Sequence, residues 1–85
     1  MPTDALTVRD HMTLRLAFTP FTYPAARATR ALQTLNLTET RFWQRVDYLL
    51  TQPAALRAYP TDVRRLRRLR DARAQQRTSR RPAAS

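Results

Sequence analysis

The stretch PAARATRALQTLNLTETRFWQRVDYLLT, residues 24–51, decides the fold. Pro24 suits the first position of a helix, where its missing N–H costs nothing. Ala28, Ala31, Leu32 and Leu35 then fall at i, i+3, i+4 and i+7. This pattern predicts a helix over 24–35. Asn36 follows, and asparagine is the usual substitute for glycine where a helix ends in a left-handed residue. Thr38 caps the next helix, 39–51, in which Phe42, Val46, Leu49 and Leu50 form one apolar stripe. The other side of that helix carries Thr40, Arg41, Gln44, Arg45 and Tyr48. Two amphipathic helices joined by a tight turn imply an all-α fold around one small core.

Upstream, a first helix is expected over 4–18, with Thr3 as N-cap and Leu6, Met12, Leu14, Leu16 and Phe18 available for burial. Downstream, Pro53 opens a short helical turn over 53–58. Thr61 is the expected N-cap of a last helix over 62–77, and Asp62 favours the positive end of that helix's dipole. Proline punctuates these joints because it is accepted in a helix's first turn and disrupts its interior. The chain thus reads as a helical module, 1–52, containing a helix-turn-helix at about 24–51. An arginine-rich helical arm, 53–81, and a disordered tail, 82–85, complete it.

Composition separates the arm from the module. The 85 residues hold sixteen basic side chains against six acidic ones, for a net charge of +10, and every basic residue is arginine. Residues 1–52 carry six arginines against Asp4, Asp10, Glu39 and Asp47. Residues 53–85 carry ten against Asp62 and Asp71. GC-rich codon usage explains arginine in place of lysine but not the excess charge, for which a polyanionic partner is the default inference.

Other functions are excluded or disfavoured. Without cysteine there are no disulfides, thiolate metal sites or thiol nucleophiles. Average usage would give about six glycines at this length, and there are none, so Gly-rich phosphate loops and dinucleotide fingerprints are absent. His11 stands alone, and no residue pair supplies a nucleophile with a base; the chain is expected to be no enzyme and to hold no cofactor or metal. No apolar run approaches the roughly 18 residues of a membrane span. A cytoplasmic protein of the nucleoid, with no membrane contact, is expected.

Positive chemistry lies in the two helix faces. Arginine pairs with guanine, glutamine with adenine, and threonine reaches phosphate or a thymine methyl, so Thr40, Arg41, Gln44 and Arg45 are the candidates for base contact in double-stranded DNA. Thr38, Arg27 and Arg30 are candidates for phosphate. Trp43, beside the packing stripe, belongs to the core or its edge rather than to a base-stacking platform. In the arm, Arg64, Arg65, Arg67, Arg68, Arg70 and Arg73 go nearly round the helix and are further phosphate candidates. They leave a narrow stripe of Val63, Leu66 and Leu69. Like charges at i,i+3 and i,i+4 weaken a helix, so this segment is expected to fray when free and to order on DNA.

From Leu37 onward, Thr40-Arg41-Phe42-Trp43-Gln44, Pro53-Ala-Ala-Leu56, Pro60 and Val63-Arg-Arg-Leu-Arg-Arg-Leu-Arg70 carry a resemblance. Over 37–81 the chain resembles a family of small, uncharacterised actinobacterial proteins, arginine-rich and described as a domain of unknown function with a helix-turn-helix. In the family's pattern an aromatic pair and a glutamine open the second helix, followed by a Pro-x-Ala-Leu turn and an arginine-leucine helix. Upstream the match is poor, at Phe18-Thr-Pro-Phe-Thr-Tyr-Pro24, where family members have a longer, tryptophan-containing helix. The resemblance implies DNA binding on a sigma-factor-like helix-turn-helix. The residues and the charge together point to a small transcriptional regulator or a nucleoid-associated protein. A different class of function is an accessory protein that docks on RNA polymerase or the ribosome. One helix-turn-helix reads few base pairs, so specificity would call for a homodimer or a second contact from the arm.

Overall fold

Five α-helices and no strand occur among the residues described in the computed structural model, 5–80: α1 (Val8–Phe18), α2 (Pro24–Leu35), α3 (Glu39–Leu50), α4 (Pro53–Ala58) and α5 (Pro60–Arg80). α2 and α3 lie where their patterns place them. Pro24 opens α2 after Tyr23, whose backbone is extended. Asn36 ends it in the left-handed region, at φ 55° and ψ 37°, with its N–H on the Leu32 carbonyl. No other non-glycine residue among those described has positive φ. Thr38 then caps α3, its hydroxyl oxygen accepting from the Arg41 N–H at 3.3 Å.

The ends of α1 and α5 differ from the expectation. α1 begins at Val8, and the cap expected at Thr3 lies outside the described residues. Thr7 is the cap instead, in a reciprocal box with Asp10. The Thr7 hydroxyl oxygen accepts from the Asp10 N–H at 3.0 Å, and the Asp10 carboxylate accepts from the Thr7 N–H at 3.1 Å. α5 begins at Pro60 rather than Asp62, so Thr61 is inside the helix and not its cap. Proline in the first turn needs no donor, and the Val63 N–H already closes on the Tyr59 carbonyl at 2.9 Å. The helix runs on without a break to Arg80; Arg81 and the expected tail, 82–85, lie outside the described residues.

One core joins all five helices. α3 contributes Phe42, Val46, Leu49 and Leu50, against Leu14 and Ala17 of α1 and Ala31 and Leu35 of α2. Ala55 of α4 and Val63 of α5 belong to the same cluster, so the change of composition at Pro53 is not a gap in the packing. Phe42 is the largest fully buried side chain, and burial of this kind stabilises by about 1.5–3 kcal/mol.

α1 uses its positions differently from the pattern. Met12, expected inside, is exposed, while Asp10 and Thr13 are buried. Thr13 keeps its hydrogen bond by donating its hydroxyl to the Arg9 carbonyl at 2.8 Å. Leu32 is likewise exposed, which narrows the buried face of α2 to Ala31 and Leu35, with Ala28 half-buried. Tyr59, between α4 and α5, ties that joint to α1. Its hydroxyl lies 2.8 Å from His11 Nδ1, and its ring meets Phe18 edge-on at 5.3 Å.

Candidate nucleic-acid interface

Each helix leaves unpaired carbonyls in its last turn, and a chain without glycine cannot close them in the commonest way. Arginine does much of this work here. Arg9 donates to the Leu35 carbonyl at the end of α2. Arg27 donates to the Thr19 carbonyl at 2.8 Å and Arg65 to the Phe18 carbonyl at 3.3 Å, both at the end of α1. Arg67 Nε donates to the Leu50 carbonyl at 2.6 Å, at the end of α3. A cation at a helix C-terminus also opposes the negative end of the dipole.

Three of the residues expected to contact phosphate, Arg27, Arg65 and Arg67, thus hold helix ends together. Arg27 is also held by aromatic rings. Its guanidinium lies over the rings of Phe21 and Trp43, at 5.0 and 5.6 Å, with Nε buried and unbonded. Nothing in their sequence neighbourhood marks these partners, since Leu50 is 17 positions from Arg67 and Phe18 is 47 from Arg65. The absence of glycine was the available signal, and Arg9 was missed for the same reason.

Arg45 is also engaged. Its guanidinium donates to Asp10 at 2.9 Å and lies over the Tyr48 ring at 5.0 Å, across the seam between α1 and α3. Burial pushes the Asp10 carboxyl up, but hydrogen bonds from Arg45 and from Thr7 outweigh it and hold the group below its ordinary value. Of the residues expected to read bases, Arg45 is therefore the one with a structural role, with 46 % of its side chain still exposed.

Thr40, Arg41 and Gln44 are exposed on the outward face of α3, with Tyr48 one turn beyond Gln44. Thr38, also exposed, lies at the amino end of the same helix, where free N–H groups favour an anion. Arg30 is exposed on the preceding helix. On α5, Arg64 and Arg68 stand one turn apart and exposed, whereas Arg70 is half-buried and pairs with Asp71 at 3.7 Å. The side chains of Arg15, Arg30, Arg41, Arg64, Arg68, Arg73 and Arg77 are exposed and make no hydrogen bond or ion pair with another described residue. Asp10, Asp62 and Asp71 are meanwhile taken up by Arg45, Arg65 and Arg70.

Trp43 stands at the core's edge, half-buried and edge-on to Phe42 at 5.0 Å. An open groove of about 430 Å³ separates α3 from the carboxyl half of α5 and is lined by Trp43, Leu50, Leu66, Leu69 and Arg73 among others. Among the described residues no group of three or more histidine, aspartate or glutamate side chains is placed to hold a metal. None of the described helices is long and apolar enough to cross a membrane.

No curated protein and no solved structure matches this chain. The family described as protein of unknown function, DUF3263, matches residues 5–78. That span takes in α1 and α2 as well as the segment from Leu37 that carries the sequence resemblance. The chain belongs to the DUF3263 family of proteins of unknown function.

Proposed function

We propose that this protein binds double-stranded DNA in the nucleoid, as a small regulator or a chromosome-associated protein. α2 and α3 act as its helix-turn-helix and α5 as an arm on the phosphates. The observation that carries this reading is the set of exposed arginines left without partners after helix ends and acids have taken theirs. Such a charge excess lowers its own repulsion by neutralising phosphates and releasing their counterions.

The base-reading face is Thr40, Arg41 and Gln44, the residue types that recognise base edges, carried on the first two turns of a helix whose amino end is capped by Thr38. Arg64 and Arg68, with Arg30 and Thr38, are assigned to phosphate. Arg45 ties α3 to α1 through Asp10.

Binding of random duplex at several salt concentrations tests the reading. If the three arginines assigned to phosphate neutralise it, the logarithm of affinity falls with the logarithm of salt at a slope of about −3. A slope near zero overturns it. Selection from a random duplex pool then separates regulator from coating protein. An enriched motif, weakened by Arg41→Ala more than random duplex is, identifies a regulator.

A further inference from the structure

The groove between α3 and α5 has a chemistry that DNA does not use. Its floor is apolar, made by Trp43, Val46 and Leu50 of α3 with Leu66 and Leu69 of α5. Leu69 is 49 % exposed at its centre, a large aliphatic side chain facing solvent on a helix otherwise rich in arginine. One rim carries Arg70, Arg73 and Arg77, at i, i+3 and i+7 on one face of α5; the other carries Asp47. Arg73 and Arg77 have no described partner, and Arg70 meets only the exposed Asp71.

Length fits a helix. Leu66 to Arg77 spans three turns, about 16 Å at a rise of 1.5 Å per residue, the reach of an i, i+3, i+7 set of anchors. The Trp43 ring meets Phe42 at its side and carries the Arg27 guanidinium over one face, which leaves a stacked base at most the other face. A duplex backbone does not gain from an aliphatic floor.

We propose that this groove docks an acidic amphipathic helix of a partner protein. Its apolar anchors lie on the floor around Leu69, and its carboxylates face Arg70, Arg73 and Arg77. Thr40, Arg41 and Gln44 are not among the residues that line the groove. The proposal takes Arg73 and Arg77 from the unpartnered set and leaves Arg30, Arg41, Arg64 and Arg68 to the DNA reading; the peptide titration needs no DNA, and a duplex competition separates the two.

Trp43 is the one tryptophan of the chain and lines the groove, so its emission reports occupancy. The full-length protein is titrated with a synthetic helical peptide of about 14 residues, leucine at i, i+3 and i+7 and glutamate at most other positions. A scrambled isomer of equal charge serves as control. The periodic peptide is expected to give a saturable change in Trp43 emission. Binding should weaken at least about tenfold on scrambling, on Leu69→Asp and on Arg73→Ala, and stay unchanged on Arg41→Ala. Leu69 is half-exposed and Arg73 unpartnered, so both variants should keep the core, which far-UV circular dichroism checks. No saturable change, equal binding of the scrambled isomer, or indifference to Leu69→Asp overturns the proposal. Displacement of the peptide by random duplex with the same emission change assigns the groove to nucleic acid and overturns it too.

Discussion

Arg67 and Arg68 are neighbours in sequence and opposites in the structure. The inner face of α5 turns Arg67 onto the Leu50 carbonyl, while the outer face leaves Arg68, with Arg64 one turn before it, in solvent. Both count equally toward a net charge of +10. Only the second kind is free for a polyanion. Charge totals therefore overstate the anion-binding surface in a chain that uses arginine where others use glycine, at the carboxyl ends of helices.

The largest effect that would break this division is expected from the double variant Arg64→Ala/Arg68→Ala. It should weaken binding to every duplex by about 30-fold at low salt, near 2 kcal/mol, and leave the melting temperature unchanged. A fall in melting temperature of several degrees would move these side chains to the structural set.

Next comes Asp10→Asn, which removes the carboxylate that holds both Arg45 and the Thr7 cap. A loss of about 1–2 kcal/mol at neutral pH is expected in denaturant titrations. Folding lowers the affinity of Asp10 for its proton. The stabilisation is therefore present above the unfolded carboxylate value of about 3.9 and is lost as pH falls through the lower folded value. The variant should accordingly show a flatter fall of stability below about pH 4. An unchanged acid limb would remove Asp10 from the frame.

Arg67→Ala should cost about 1 kcal/mol, lowering the melting temperature by about 4–8 °C in a domain of this size, with duplex affinity nearly intact. Smallest is the turn. Asn36→Ala should destabilise by about 1 kcal/mol or less because alanine resists the left-handed region, while Asn36→Gly should be close to neutral.

Signals that are local in sequence were legible. Pro24, Asn36 and Thr38, with the stripe of Phe42, Val46, Leu49 and Leu50, placed α2 and α3 to within a residue, because proline, left-handed asparagine and capping threonine each act on their own backbone. The start of α1 was missed although Thr7-Val-Arg-Asp10 carries the spacing of a reciprocal cap. Its interior was missed for a deeper reason. Asp10 and Thr13 fill buried positions because partners on α3 and in α1's own backbone satisfy them, and hydrophobic periodicity does not register a satisfied polar residue.

The candidate site divides in the same way. Thr40, Arg41 and Gln44 follow from helical periodicity alone and are exposed as expected. The roles of Arg27, Arg45, Arg65 and Arg67 depend on carbonyls and a carboxylate brought close only by tertiary packing, and no sequence spacing reveals them.

The salt dependence of duplex binding by Arg67→Ala and Arg68→Ala, compared side by side with the unaltered chain, tests the division most directly. Arg68→Ala is expected to reduce the steepness of the salt slope by about 0.9, the loss of one phosphate contact, at unchanged thermal stability. Arg67→Ala is expected to leave the slope as it is and to melt earlier. Equal losses of slope in both, or no loss in either, would contradict the division of α5 into an inner face that holds the fold and an outer face proposed to hold DNA.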